Sequence, residues 1–88
     1  MAYRVLLEED AERMLPEIDN SVRQRLVKKL VQMQGDEKTA RHLRFGAPYF
    51  VEEAGGYRIA FALKEKEKQK RVLFIGDHKG YEKWYKTL

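Results

Sequence analysis

The chain has no cysteine and only two histidines, so neither a disulfide framework nor a cluster of nitrogen and sulfur ligands can hold it together. It also has no apolar run of membrane-spanning length. Met1, Ala2, Tyr3 and Arg4 lead directly into a folded-looking segment, not into the apolar region of a secretion signal. These absences exclude the small disulfide-rich, zinc-stapled and membrane-spanning classes, and they lead us to expect a cytoplasmic protein without a cofactor. With 88 residues the chain fits one domain over 1–88. A domain of that size buries only about 60% of its unfolded surface, so its core must come from hydrophobic packing alone.

Apolar residues make up 43% and aromatics 11%, too many large side chains for a disordered segment. The charge is modest in sum, 18 basic against 14 acidic residues for a net +4, but it is unevenly placed. The stretch 21–34 carries Arg23, Arg25, Lys28 and Lys29 with no acid, and 64–71 carries Lys64, Lys66, Lys68, Lys70 and Arg71 against Glu65 and Glu67. Such runs are either solvated faces or surfaces for a polyanion or an acidic partner.

The pattern predicts a strand over 3–7, then a helix opened by Glu8, Glu9 and Asp10, with Ala11, Met14 and Leu15 as its apolar stripe. Pro16 should end that helix near Leu15. Asp19, Asn20 and Ser21 offer caps for a second helix, in which Val22, Leu26, Leu30 and Met33 recur at helical spacing until Gly35 stops it. From Leu43 the spacing turns to that of strands: 49–53, a Gly55-Gly56 turn, 57–64, and a continuous apolar run over 70–76 that reads as central. The tail, 81–88, is a short amphipathic helix. The order β-α-α-β-β-β-α is an α+β fold: an N-terminal strand, an antiparallel helical hairpin packed on one face of a mostly antiparallel four-stranded sheet, and a short C-terminal helix.

A two-residue Gly55-Gly56 turn pairs Glu53 with Arg58. Tyr49, Val51, Glu53, Arg58, Ala60 and Ala62 then share one face, while Phe50, Tyr57, Ile59, Phe61 and Leu63 share the bulkier face that belongs under the helices. The helical pair would leave the first face open, with Arg58 pointing outward over two alanines where a phosphate could approach it. The alternative is an ordinary cross-strand ion pair of little energetic weight. A second cluster, Gly76 to Tyr81 with Lys83, Trp84 and Tyr85, follows the last strand. His78 there can act as general acid or base near neutral pH, or be a plain surface residue. RNA supplies its own 2′-hydroxyl nucleophile, so a ribonuclease needs only a base, an acid and a cation for the phosphorane charge. Glu53, His78 and Arg58 supply that set. Tyr81, Trp84 and Tyr85 either stack on splayed bases or dock the last helix on the sheet.

The segments HLRFGAPYFVEE, GGYRIAFAL and VLFIGDHKGYEKWYK arrive in an order and spacing that resemble the RelE/HigB superfamily of toxin-antitoxin toxins over nearly the whole chain. The resemblance implies an endoribonuclease toxin that cleaves mRNA in the ribosomal A site without a metal and is silenced by a cognate antitoxin. It also implies rRNA contacts through the basic helix 21–34. Arg58 matches the family arginine at the scissile phosphate, and His78 stands where members place an Arg or His near the leaving group. Tyr85 or Tyr81 stands near the C-terminal catalytic tyrosine, and Glu53, with Glu52 beside it, fits members that use an acidic base. Arg41, Arg44, Lys64, Lys79 and Trp84 are the further expected RNA contacts. The strand before the hairpin carries Phe50, Val51, Glu52 and Glu53 where RelE presents lysines, which points away from a lysine-driven mechanism. The related ParE branch shares the fold and targets DNA gyrase, and a non-catalytic RNA-binding module of this fold is the other alternative. Retention of His78 with Arg58 favours the nuclease.

Overall fold

The computed structural model describes residues 3–35, 41–42 and 49–87, the side chains of 41 and 42 excepted. Strand β1 (Arg4–Leu7) leads through Glu8 into helix α1 (Glu9–Met14), which gives way at Leu15–Glu17 to a single 3-10 turn containing Pro16. Helix α2 (Asn20–Gly35) follows, then the two-residue strand β2 (Arg41–His42), β3 (Phe50–Ala54), β4 (Tyr57–Lys64), β5 (Gln69–Asp77) and helix α3 (His78–Lys86). The α+β order expected from the pattern is present, with one correction. The sheet has five strands, not four, because β2 pairs with β3 through Arg41 and His42; two residues are too few to leave a period in the sequence.

The strand order is β1-β5-β4-β3-β2, with β1 parallel to β5 and the other pairs antiparallel. Gly55 and Gly56 both adopt positive φ, as a tight hairpin turn requires, and the register is the one such a turn imposes: Glu53 lies opposite Arg58 and Val51 opposite Ala60. Alternation then sorts the side chains. Ile59 and Phe61 join Val72, Ile75, Ala11, Leu26, Leu30 and Met33 in one buried cluster under α2. Between β4 and β5 the register slips, Ala60 facing Phe74 but Phe61 facing Val72, so Leu73 is the extra residue of a bulge. Beyond that bulge Phe74 and Gly76 lie opposite Ala60 and Arg58.

Lys70 sits in the α2 side of this core with no exposed surface. Its Nζ donates to the Met33 carbonyl at 2.9 Å and lies 5.0 Å from the Tyr3 ring centre. A cation at the last turn of α2 completes an acceptor that the helix leaves open and favours the negative end of its dipole. The strand read as a continuous apolar run therefore carries its lysine into the core.

The second face of the sheet is not open as the pattern suggested. Helix α3 lies on it, and Tyr49, Val51, Ala60, Phe74 and Tyr81 form a second buried cluster flanked by Met14, Leu73, Trp84 and Tyr85. Asp77 caps α3 by accepting the Gly80 N–H at 2.8 Å. The two alanines of β4 that read as a shallow anion site thus face a helix-bearing surface, and Ala60 itself is fully buried.

Candidate functional site

Arg58 stands near the turn end of β4, opposite Gly76 of β5 and Glu53 of β3. Its side chain is 24% exposed, and its Nε lies 3.5 Å from Glu53 Oε2, a carboxylate on a side chain 45% exposed. On its other side the guanidinium carbon is 4.9 Å from the centre of the Tyr81 ring. The ion pair at this exposure is worth little by itself. Ring and carboxylate together do something else: they fix the cation's orientation on a rigid strand.

Tyr81 is only 3% exposed. Its ring packs edge-on to Phe74 at 6.0 Å and lies parallel to Tyr85 at 6.0 Å. Burial raises the Tyr81 phenol above the ordinary tyrosine value, against the opposing influence of the Tyr49 hydroxyl and the Arg58 charge. Tyr49 is raised further still, by burial first and then by Tyr81 and Tyr85. Both phenols are therefore protonated, hydrogen-bond-donating groups at neutral pH.

His78 is the first residue of α3, exposed, two positions beyond the Gly76 that pairs with Arg58. Its backbone is placed by the change from strand to capped helix at Asp77. Lys79 is exposed beside it. The fold thus gathers Arg58, Glu53, Tyr81 and, through Tyr81, Tyr85, with His78 at the same end of the sheet.

Other expected contacts fall elsewhere. Lys64 is exposed at the far end of β4, six residues from Arg58 and hence roughly 20 Å along the strand. Trp84, expected to stack on bases, is half-buried, its ring 5.2 Å from Tyr49 and 5.3 Å from Phe74, so it docks α3 on the sheet. In the basic helix, Arg23 donates to the Pro16 carbonyl at 2.9 Å and to Asn20 Oδ1 at 3.0 Å, and Lys29 pairs with Glu52 at 3.2 Å across to β3. Those two cations, and with them Glu52, hold the fold, whereas Arg25 and Lys28 remain exposed. Arg44 and the Arg41 side chain lie outside the described residues.

Sequence reasoning set Tyr49 on the Arg58 face and Asp77 in the cluster after the last strand but gave neither a role, and it missed Phe74 as part of this region. An aspartate directly before a helix was a readable capping signal. The closure of α3 over Tyr49 was not readable, because it depends on which side chains lie across the sheet. Among the described residues no group of three His, Cys, Asp or Glu side chains is arranged to hold a metal, and no helix is long and apolar enough to cross a membrane.

This small α+β domain shares its fold with solved RelE toxins. The chain superimposes on the toxin of the RelBE2 toxin-antitoxin complex from Mycobacterium tuberculosis with a TM-score of 0.78, at 16% identity over 89% of this chain and 100% of that one. A double mutant of the E. coli toxin RelE in the free state gives 0.75, at 23% identity over 97% and 93%. The archaeal RelE-RelB complex from Pyrococcus horikoshii gives 0.71, at 18% over 88% and 96%. The chain has the RelE toxin fold. No protein-family model and no curated protein sequence matches it.

Proposed function

We propose that this protein is the toxin of a toxin-antitoxin pair, a ribosome-dependent endoribonuclease acting in the cytoplasm on mRNA in the A site. The observation that carries the reading is the Arg58 guanidinium, held on a strand between Glu53 and the Tyr81 ring beside the capped start of α3. That arrangement suits a pentacoordinate phosphate better than a static ion pair, since a preorganised cation in a partly buried site costs nothing to reorient as charge develops.

In the proposed reaction the 2′-oxygen attacks the adjacent phosphorus, with Glu53 accepting the 2′ proton. Arg58 stabilises the non-bridging oxygens. The bond to the 5′-oxygen breaks, His78 protonates that oxygen, and a 2′,3′-cyclic phosphate remains, which water opens to a 3′-phosphate. No metal or cofactor takes part in these steps. Tyr81 orients Arg58, and Tyr85, half-buried and one turn on, lies nearer the solvent side of the site. Lys79, Arg25, Lys28 and, more remotely, Lys64, Arg41 and Arg44 would meet mRNA and rRNA phosphates through salt-sensitive contacts. Trp84 would serve RNA binding only indirectly, by keeping α3 seated.

The partner that silences the toxin would be a cognate antitoxin, as in the complexes that share this fold. The test is the chemistry of the cut ends. mRNA programmed on ribosomes and treated with the purified protein should yield 2′,3′-cyclic or 3′-phosphate ends, and the chemical step should survive chelation once ribosomes are kept intact by polyamines. Products ending in 5′-phosphates, or a chemical step that needs added Mg²⁺, would remove this mechanism. Growth arrest with intact ribosome-bound mRNA would move the reading to a gyrase-directed toxin.

A further inference from the structure

Two basic side chains of α2, one helical turn apart, meet the β3-β4 hairpin in succession. Lys29 pairs with Glu52 at 3.2 Å and ties the helix to β3. Arg25 reaches the turn itself: a Cβ on Gly55 would stand 3.0 Å from Arg25 Nη1. A tight hairpin turn also accepts asparagine or aspartate at its first position, so the φ of 54° at Gly55 does not by itself demand glycine. What only glycine gives there is room for the guanidinium against the backbone.

Arg23 and Lys29 are engaged within the protein, but among the described residues no carboxylate pairs with Arg25, which is exposed. Gly55 and Gly56 are exposed as well, and a Cβ on Gly56 would meet nothing within 4 Å, so the rim of the turn is clear. Arg58 follows two residues past Gly56, roughly 7 Å along β4, and lies on the α3 face against the Tyr81 ring. The turn and Arg58 are thus a step apart comparable to that between neighbouring phosphates of extended RNA. Arg25 flanks the hairpin tip from the α2 side and Arg58 from the α3 side. An exposed cation without an internal partner, next to an arginine poised for one phosphate, favours a second phosphate of the same strand.

We infer that Arg25 is an mRNA-binding residue of the candidate ribonuclease site: lying over the Gly55 backbone, it holds the phosphate next to the scissile one while Arg58 takes the scissile phosphate. The RNA strand crosses the glycine rim from one face of the hairpin to the other. Arg25 takes no part in making or breaking bonds; it sets the register of the strand on the protein. One cation of the basic helix is thereby assigned to mRNA and not to rRNA. The inference rests on the ribonuclease reading.

Arg25→Ala changes an exposed helix position, so its thermal midpoint should match the parent's. On ribosome-bound mRNA its KM should rise about 10-fold, the loss of one hydrogen bond to a charged group, with kcat within about twofold of the parent. The log-log salt dependence of binding should flatten by about 0.7, the share of one single-strand phosphate, and Arg25→Lys should recover most of the affinity. The discriminating substrates are mRNAs with an uncharged methylphosphonate at the linkage just 5′ or just 3′ of the cleavage site. One of the two should raise the parent's KM about as much as Arg25→Ala does, and should leave the KM of Arg25→Ala itself unchanged. A parental KM for Arg25→Ala, or a loss confined to kcat, would overturn the inference and leave the ribonuclease reading standing. So would an Arg25→Ala protein that responds to both modified mRNAs as the parent does, a result that puts the contact on rRNA. A folded parent that binds ribosomes and cuts nothing would overturn the ribonuclease reading and this inference with it.

Discussion

Under α2 the sheet presents Ile59, Phe61, Val72 and Ile75, each at most 2% exposed, against Leu26, Leu30 and Met33. Under α3 it presents Tyr49, Phe74 and Arg58 against Tyr81 and Trp84. The first face is mainly aliphatic, with Phe61 stacked on Phe50 and Tyr57 beside them, and among the described residues its buried charge, Lys70, reaches the carbonyl of Met33. The second is aromatic, half-exposed at its rim, and holds three buried polar atoms, Tyr49 Oη, Tyr81 Oη and Arg58 Nε, that make no good hydrogen bond among the described residues. Stability is concentrated where side chains interlock and polar groups are satisfied, and chemistry where rings surround a cation that packing has not fully paired. The same β4 strand serves both by alternation, Ile59 and Phe61 to one side, Arg58 and Ala60 to the other.

That division makes different substitutions on one strand fail in different ways. The largest loss of stability should come from Phe61→Ala, which removes a fully buried ring from beneath α2 and should cost about 3–5 kcal/mol. Chemical denaturation with the slope held constant measures it. In a domain this small such a loss leaves little folded protein, so activity should vanish together with structure. Retention of near-parental stability would mean that the α2 face is not the stabilising one.

Gly76→Ala should be milder for stability and harsher for function. A Cβ there would come within 2.6 Å of Phe74 Cζ, and Phe74 stacks on Trp84 and meets Tyr81 edge-on. Moving that ring should cost roughly 1–3 kcal/mol, as overpacking does. Because Tyr81 and Trp84 follow Phe74, the orientation of Arg58 is disturbed, and cleavage should fall further than the fraction of unfolded protein explains. Activity tracking stability one for one would blur the distinction between the faces.

How much of this was legible follows from what each element depends on. The β3-β4 register could be read because Gly55-Gly56 fixes it locally, and with it the pairing of Glu53 and Arg58. The α2 core face could be read because Leu26, Leu30 and Met33 repeat at helical spacing. The covering of the other face could not. Tyr81, Trp84 and Tyr85 fit base stacking as well as docking, and only Tyr49, Ala60 and Phe74 across the sheet decide for docking. The small β4 side chains read as room for a phosphate, but Ala60 makes room for α3 instead. The burial of Lys70 could not be read because its partner, a helix-end carbonyl, is distant in sequence. In the basic helix, charge count alone could not reveal that Arg23 and Lys29 are engaged with the protein itself.

The account turns on whether Arg58 is there for chemistry or for the hairpin, and one measurement separates the two: mRNA cleavage on ribosomes by Arg58→Ala, with its unfolding curve recorded on the same sample and His78→Ala run beside it. The account predicts that Arg58→Ala stays within about 1 kcal/mol of the parent in stability, the range of a partly exposed ion pair. It should still cut about 10²- to 10³-fold more slowly, as when a preorganised charge-stabilising donor is lost. His78→Ala should lose about 10²- to 10⁴-fold as the general acid is removed. Folded Arg58→Ala and His78→Ala proteins that both cut as fast as an active parent would contradict it.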